Sequence, residues 1–384
     1  MMKVAFLSTF AFDANISLIN ALKNKCDIYF FTEALYEIDN YLDKNKLSKF
    51  ISNGNEVEEI KRFSKLIPLE KTYVIKGTRQ NNIVKKIYNS YRINKKIKEI
   101  NPDIIILDSH LITYFLTAFN YRKKSLLIIH DPFFHSGENF KVDIFLRKLY
   151  FSFLGYKMLL NENQKNDFIK HYRQNPNKVF TSFLSIYEYL TLYGKKEDKT
   201  NKDFNVLFFG RISPYKGVKF FLDACVEIIQ SEKYPNISFT VAGSGNFDFD
   251  VTKYYNYPQI KILNKFIQPT ELSRLILDSA VVICPYIDAT QSGVIMSCFA
   301  FKKPVIATNV GGLPEMIENN KTGLIIEPKS TEQIKQAIFK LYENPQILQE
   351  MSENISMKYF YGEKSWMRSA EYFLDAMKSI LNKR

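Results

Sequence analysis

The sequence predicts an α/β protein of two Rossmann-like parallel-sheet domains facing each other across a cleft, with a C-terminal helix returning to the first. Three observations predict it. Short Val- and Ile-rich runs alternate with segments of helical period in both halves, a pattern that suits parallel strands covered by helices on both faces. A charged, aperiodic run, YGKKEDKTNKDF, separates the halves. The 384 residues, 46% of them hydrophobic, are enough for two cores.

In the first half KVAFLSTF reads as a strand, ISLINALKN as part of a helix, and CDIYFFTE, IIILDS, SLLIIH and YKMLLNEN as further strands. The second half is more regular. FNVLFFG, NISFTVAG, QIKILNKF, VVICPY, PVIAT and LIIEP read as strands, interleaved with helices such as KGVKFFLDACVEIIQ and PTELSRLILDSA. In TEQIKQAIFKLYEN, Ile334, Ile338 and Leu341 share a face, and Ser330 with Gln333 suits a capping box. Trp366, Ala370 and Phe373 mark the apolar side of the last helix. The expected boundaries are 1–195 for the first domain, 196–203 for a linker, 204–364 for the second domain, and 365–384 for the returning helix.

Four scattered cysteines, none in C-x-x-C spacing, suit reduced buried thiols and a cytoplasm-like compartment. The N-terminus lacks a basic leader with a cleavage site, and the longest greasy run, from Ile104, carries Asp108 and His110. No membrane span is expected. The net charge of +13 is concentrated N-terminally, with 32 Lys and Arg against 21 Asp and Glu in residues 1–200. That asymmetry suits an anionic membrane surface, a phosphorylated lipid or glycan, or nucleic acid, and equally an ordinary Lys-rich surface.

Open parallel sheets bind ligands beyond the C-terminal ends of their strands. At one exit, LFFGRISPYKG, Gly210 is followed by Arg211 and Lys216 ahead of a helix, a pairing that suits a diphosphate. At a second, DATQSG, the residues Ser292 and Gly293 begin a helix whose first amides can meet an anion, and the glycine is expected to permit close approach. GGLPEMI, from Gly311, reads as a tight turn and helix start. In the first half LLIIHDPFFHSGE places His130 at a strand exit, beside Asp131 and His135. The pair Asp248 and Asp250 reads as solvated charge rather than a metal site, and the GSG at 243–245 is only half a dinucleotide fingerprint. Walker A, H-E-x-x-H and G-x-S-x-G motifs are absent, so nucleotide hydrolysis, zinc peptidase and serine hydrolase classes have no support.

Taken in order and spacing, GRISPYKG, VAGSG, DATQSG followed by KKPVIAT, and VGGLPEMIENNKTGLIIEP resemble the retaining glycosyltransferases of glycosyltransferase family 4, which have the GT-B fold. The likeness covers about residues 204–340 and is weaker in the first half, at IIHDPFFHSGE. It implies a nucleotide-sugar donor on the second domain, a glycan or lipid-linked glycan acceptor on the first, transfer with retention, and no metal or other cofactor. By position it implies Arg211 and Lys216 on the donor diphosphate, His130 near the sugar, and Gly210, Asp288, Gln291, Ser292, Gly293 and Ser297 around the donor. Asn15, Asp131, His135 and Glu138 would lie towards the acceptor or behind the site. The family carries two glutamates eight positions apart here, and the matching places hold Ala289 and Ser297, with Asp288 one residue early. Loss of a charged acceptor costs about 1.5–3 kcal/mol, so binding of the donor ribose is expected to be weakened unless Ser297 or a water bridges.

The resemblance therefore implies an enzyme of surface polysaccharide or glycolipid synthesis, cytoplasmic and peripheral on the inner face of the membrane. The alternative is a degenerate member that binds nucleotide or glycan, or scaffolds a partner, without turnover. No nucleic-acid module is recognisable. NNIVKKIYNSYRINKKIKEI, residues 81–100, reads either as a basic amphipathic helix resting on anionic headgroups or as a surface helix packing its apolar stripe on the sheet.

Overall fold

The computed structural model describes all residues except 36–41, 79–81, 134–140, 195–203, 290–291 and 383–384. His135, Glu138, Gln291 and the expected linker 196–203 lie outside the described residues. The chain forms two compact units, one of Met1–Ser185 with Trp366–Arg384 and the other of Ile186–Ser365. Residues 186–194 go with the second unit because its core holds them: Tyr187 N–H donates to the Met296 carbonyl at 3.2 Å, and Ser273 Oγ donates to the Leu190 carbonyl at 2.7 Å.

The first unit contains strands β1 Lys3–Ser8, β2 Asp27–Ala34, β3 Ile51–Asn53, β4 Thr72–Lys76, β5 Ile104–Leu107, β6 Ser125–Ile129, β7 Tyr156–Leu159 and β8 Val179–Thr181. They form one sheet in the order β3-β4-β2-β1-β5-β6-β7-β8. All neighbours pair in parallel except β3 and β4, so an antiparallel edge strand closes one side. The order reverses between β1 and β5. Burial of β1, β5 and β6 on both faces explains their unbroken apolar sequence.

The second unit contains β9 Phe204–Phe209, β10 Ile237–Ala242, β11 Ile260–Leu263, β12 Val281–Cys284, β13 Val305–Thr308 and β14 Gly323–Ile326. Their order is β11-β10-β9-β12-β13-β14, all parallel, and it reverses between β9 and β12. Helix Thr331–Glu343 is capped by Ser330, whose Oγ accepts from Gln333 N–H at 3.2 Å. The other half of the expected box is replaced: Gln333 Oε1 accepts from Glu327 N–H at 2.8 Å. Ile334, Ile338 and Leu341 are buried as their spacing requires.

Helix Trp366–Asn382 packs on helix Phe12–Leu22 of the first unit, burying Trp366, Ala370 and Phe373. Ser369 Oγ lies 2.9 Å from Ser182 Oγ, which pins the helix to the chain just beyond β8. All four cysteines are free and buried. Among the described residues no helix is long and apolar enough to cross a membrane.

Candidate active site

Each unit gathers polar side chains at the point where its strand order reverses, the place where neighbouring connections leave in opposite directions and open a crevice.

In the first unit the centre is Asp108, one residue beyond β5, with a fully buried side chain. Its Oδ2 accepts from Ser8 Oγ at 3.0 Å and from Asn15 Nδ2 at 2.6 Å, while its Oδ1 lies 2.5 Å from His130 Nε2. Asn15 Nδ2 also reaches Ser8 Oγ at 2.9 Å. β1 delivers Ser8, the following helix Asn15, and β6 His130, so the fold brings together two residues expected from sequence around a third that was not. Burial alone would push the His130 imidazole down. The Asp108 charge and hydrogen bond outweigh that and hold it at about 9. His130 is thus an imidazolium at neutral pH, and its Nε2 proton is committed to Asp108.

Asp13 stands at the start of the same helix, its carboxyl raised to about 6 by burial against the opposing pull of the Ala14 N–H and His130. Beside it, Thr9 Oγ1 and Tyr114 OH share a 2.9 Å hydrogen bond. Glu33, near the end of β2, is 3% exposed, and burial raises its carboxyl to about 7 despite the attraction of Lys86 and a hydrogen bond with Thr113. A carboxyl raised on folding stabilises the protein only where it stays protonated, so this contribution falls away as pH rises from about 4.5 through 7. Glu33→Gln is therefore expected to leave stability unchanged at pH 4 and to add about 2–3 kcal/mol at pH 8, read by denaturant titration at the two pH values. Asp131 is half-buried, and its backbone carbonyl accepts from Arg147 Nη1 at 3.0 Å.

In the second unit the exits of β9 and β12 are tied together. Ile287 N–H donates to the Tyr215 carbonyl at 2.7 Å. Gly217, at φ +65°, lies so close to the Pro285 carbonyl that a Cβ would sit 2.0 Å from the oxygen. This contact presents Lys216 to the β12 exit. The half-buried Lys216 ammonium sits 3.6 Å above the centre of the Tyr286 ring, close range for a cation on an aromatic face. Tyr286 is fully buried, and its OH lies 3.5 Å from Ser292 Oγ. Nearby Cys284 is raised to about 11, chiefly by burial, with Lys216 opposing. Arg211 is exposed and donates from Nη2 to Tyr215 OH at 3.2 Å.

Ser292 precedes helix Gly293–Ala300 without capping it through its side chain. A Cβ at Gly293 would stand 2.9 Å from the Tyr187 ring, so the glycine makes room for a core aromatic. Ser297 is buried on that helix, Ala289 is buried beneath Gly311, and Asp288 is exposed. The GSG has a structural purpose too, since a Cβ at Gly243 would lie 1.8 Å from the Gly210 carbonyl, against the loop that carries Arg211. Asp250 caps its own turn, accepting from Thr252 N–H at 2.9 Å and Oγ1 at 2.6 Å. Sequence reasoning missed Asp108, Ser8, Glu33 and Tyr286. A strand exit reading IIILDS was a signal for Asp108; the others show themselves only through burial.

Residues 203–344 match the family model described as glycosyl transferases group 1. Alpha-D-kanosaminyltransferase of Streptomyces kanamyceticus is 26% identical over 152 residues, 39% of this chain and 39% of its own length. D-inositol 3-phosphate glycosyltransferase of Pseudarthrobacter chlorophenolicus is 25% identical over 185 residues, 47% of this chain and 44% of its own. The matched stretches thus span less than half the length of these curated relatives. Similarity of fold extends further: the crystal structure of HepE from Anabaena in complex with UDP superposes with a TM-score of 0.67 at 16% identity, over 98% of this chain and 100% of that one. The described strand orders, with the returning last helix, are those of the two-domain GT-B architecture. Over residues 203–344, this chain is thus similar to the glycosyl transferases group 1 family.

Proposed function

We propose that the protein is a retaining, metal-independent glycosyltransferase that moves a sugar from a nucleotide-sugar donor to a glycan or lipid-linked glycan acceptor in surface polysaccharide synthesis. The observation that carries this is the meeting of Lys216, Tyr286 and Ser292 at the β9/β12 reversal, with Arg211 on the same loop. A phosphate placed there can meet the ammonium, the guanidinium and the start of helix Gly293–Ala300. As the sugar departs, the added negative charge on the leaving diphosphate is stabilised by the two cations, the work a divalent metal performs elsewhere. On the first unit, the imidazolium of His130, held through Nε2 by Asp108, supplies a fixed positive charge for an acceptor bound to that unit. The Anabaena neighbour has been crystallised with UDP and with UDP-glucose, which makes uridine donors the first to try. The reaction is placed in the cytoplasm, at the inner face of the membrane.

A second reading is favoured by Ala289 and Ser297, which stand where the resemblance implies carboxylates: a protein that binds donor without turnover. A panel of UDP-, GDP- and ADP-sugars measured by thermal shift separates the readings, because a bound donor stabilises the fold by mass action. One donor is expected to raise Tm, and that donor, incubated with EDTA and a lipid-linked acceptor, is expected to yield product of unchanged anomeric configuration by NMR. A shift without product establishes the second reading; no shift with any donor defeats both.

A further inference from the structure

Away from the β1/β5 reversal, the first unit has a cavity of about 400 Å³ between the exit of β4, the loop ahead of β3 and the start of helix Ile83–Ile100. Lys49, Lys76, Lys85 and Arg92 line it, and no carboxylate does among the described residues. Arg92 is held in place by stacking, its guanidinium carbon 4.1 Å from the centre of the Phe50 ring. Lys76 is fixed by donating from Nζ to the Leu47 carbonyl at 2.7 Å. Two further lining residues carry buried polar atoms with no hydrogen-bond partner among the described residues: Nδ2 of Asn89, which is 2% exposed, and Oγ1 of Thr78. A buried donor left unmet is costly, and while Lys49 is paired with Glu56 at 3.2 Å, Lys76, Lys85 and Arg92 around the same hollow repel each other. An oxyanion relieves both.

The helix bordering the cavity has its surfaces inverted over its first half. Asn89, Ser90 and Asn94 face inwards, while Ile83, Val84, Ile87, Tyr88 and Tyr91 face solvent, Val84 at 81% and Ile87 at 54% exposure. Only further along do Ile93, Ile97 and Ile100 pack on the sheet in the ordinary way. Tyr88 belongs both to the exposed strip and to the cavity wall, so the two features are continuous.

We infer that this cavity binds the phosphate or diphosphate of an amphiphilic acceptor whose hydrocarbon part lies along Ile83, Val84, Ile87 and Tyr91. Basic groups beside exposed aromatic and aliphatic side chains match a phosphorylated headgroup with its tail, and charge complementarity selects it over a neutral partner. The inference deepens the proposed function by naming the acceptor's anchoring chemistry, yet it is testable without turnover. All measurements use the full chain carrying Arg211→Ala and Lys216→Ala, so that failure or success of the donor site has no bearing on the result.

In that background pyrophosphate is expected to bind by calorimetry, and adding Lys85→Glu with Arg92→Glu, both at exposed positions, is expected to weaken it at least about tenfold. Phosphatidylcholine vesicles carrying phosphatidic acid are expected to retain the protein better than vesicles of equal charge carrying phosphatidylserine. The Glu pair should erase that preference, whereas Ile87→Ser with Tyr91→Ser should release vesicles while leaving pyrophosphate affinity unchanged. Pyrophosphate binding that the Glu pair does not alter overturns the site. Pyrophosphate binding without any vesicle preference assigns the cavity to a soluble phosphate and overturns the amphiphile.

Discussion

Lys216→Ala is expected to abolish the thermal shift given by the donor and to lower kcat/KM by about 10²–10³, the usual effect of removing one preorganised group from developing charge. The size follows from where the ammonium sits. It is half-buried and 3.6 Å over the Tyr286 ring, with its backbone fixed by the Gly217 contact on Pro285, so nothing flexible replaces it. Arg211, exposed and hydrogen-bonded to Tyr215, is expected to matter less when truncated. Lys216→Arg restores charge but not shape, and should recover part of binding and little of turnover. An unchanged donor response in Lys216→Ala would move the phosphate site elsewhere.

Asp108→Ala is expected to cost about 2–3 kcal/mol of stability, because it leaves Ser8 Oγ and Asn15 Nδ2 without their buried acceptor and removes the anionic partner of the half-buried His130. That is a large share of the total for a domain of this size. Asp108→Asn keeps the shape and tests the charge separately. In it His130 is expected to titrate near or below its ordinary 6.5 instead of about 9, a change visible in the imidazole proton resonances. The pH dependence follows. His130 gains its proton affinity on folding, so the pair contributes fully below about pH 6.5 and loses that contribution as pH rises through 9. A wild-type stability curve without that decline, set against a flat one for Asp108→Asn, would remove the ion pair from the account.

The second unit was more legible in the sequence than the first. Its β12 and β13 are buried along their whole length and therefore written as apolar runs, and β9 and β14 are followed by helices of clear period, Val218–Gln230 and Thr331–Glu343. In the first unit β3 and β8 are three residues long, and β4 is a TYVIK run whose half-exposed positions, Tyr73 and Lys76, do not follow the two-residue period, so neither length nor pattern announces them. Site residues followed the same division. Arg211, Lys216 and His130 could be found because charge at a strand exit is conspicuous in one dimension. Tyr286 and Glu33 could not, since an aromatic and a carboxylate become informative only when the fold buries them beside Lys216 and Tyr114. The packing of Gly293 against Tyr187 likewise shows itself only in the fold.

The assignment of helix Trp366–Asn382 to the first unit bears on biogenesis. On a ribosome adding roughly 5–20 residues per second, the 180 residues 186–365 emerge between the two pieces of that unit, a delay of roughly 10–40 s. Throughout it the nascent helix Phe12–Leu22 waits with the flank that will meet helix Trp366–Asn382 uncovered. The later-encoded lobe can mature during translation while the earlier one stays open to chaperones until residues 366–382 have been made.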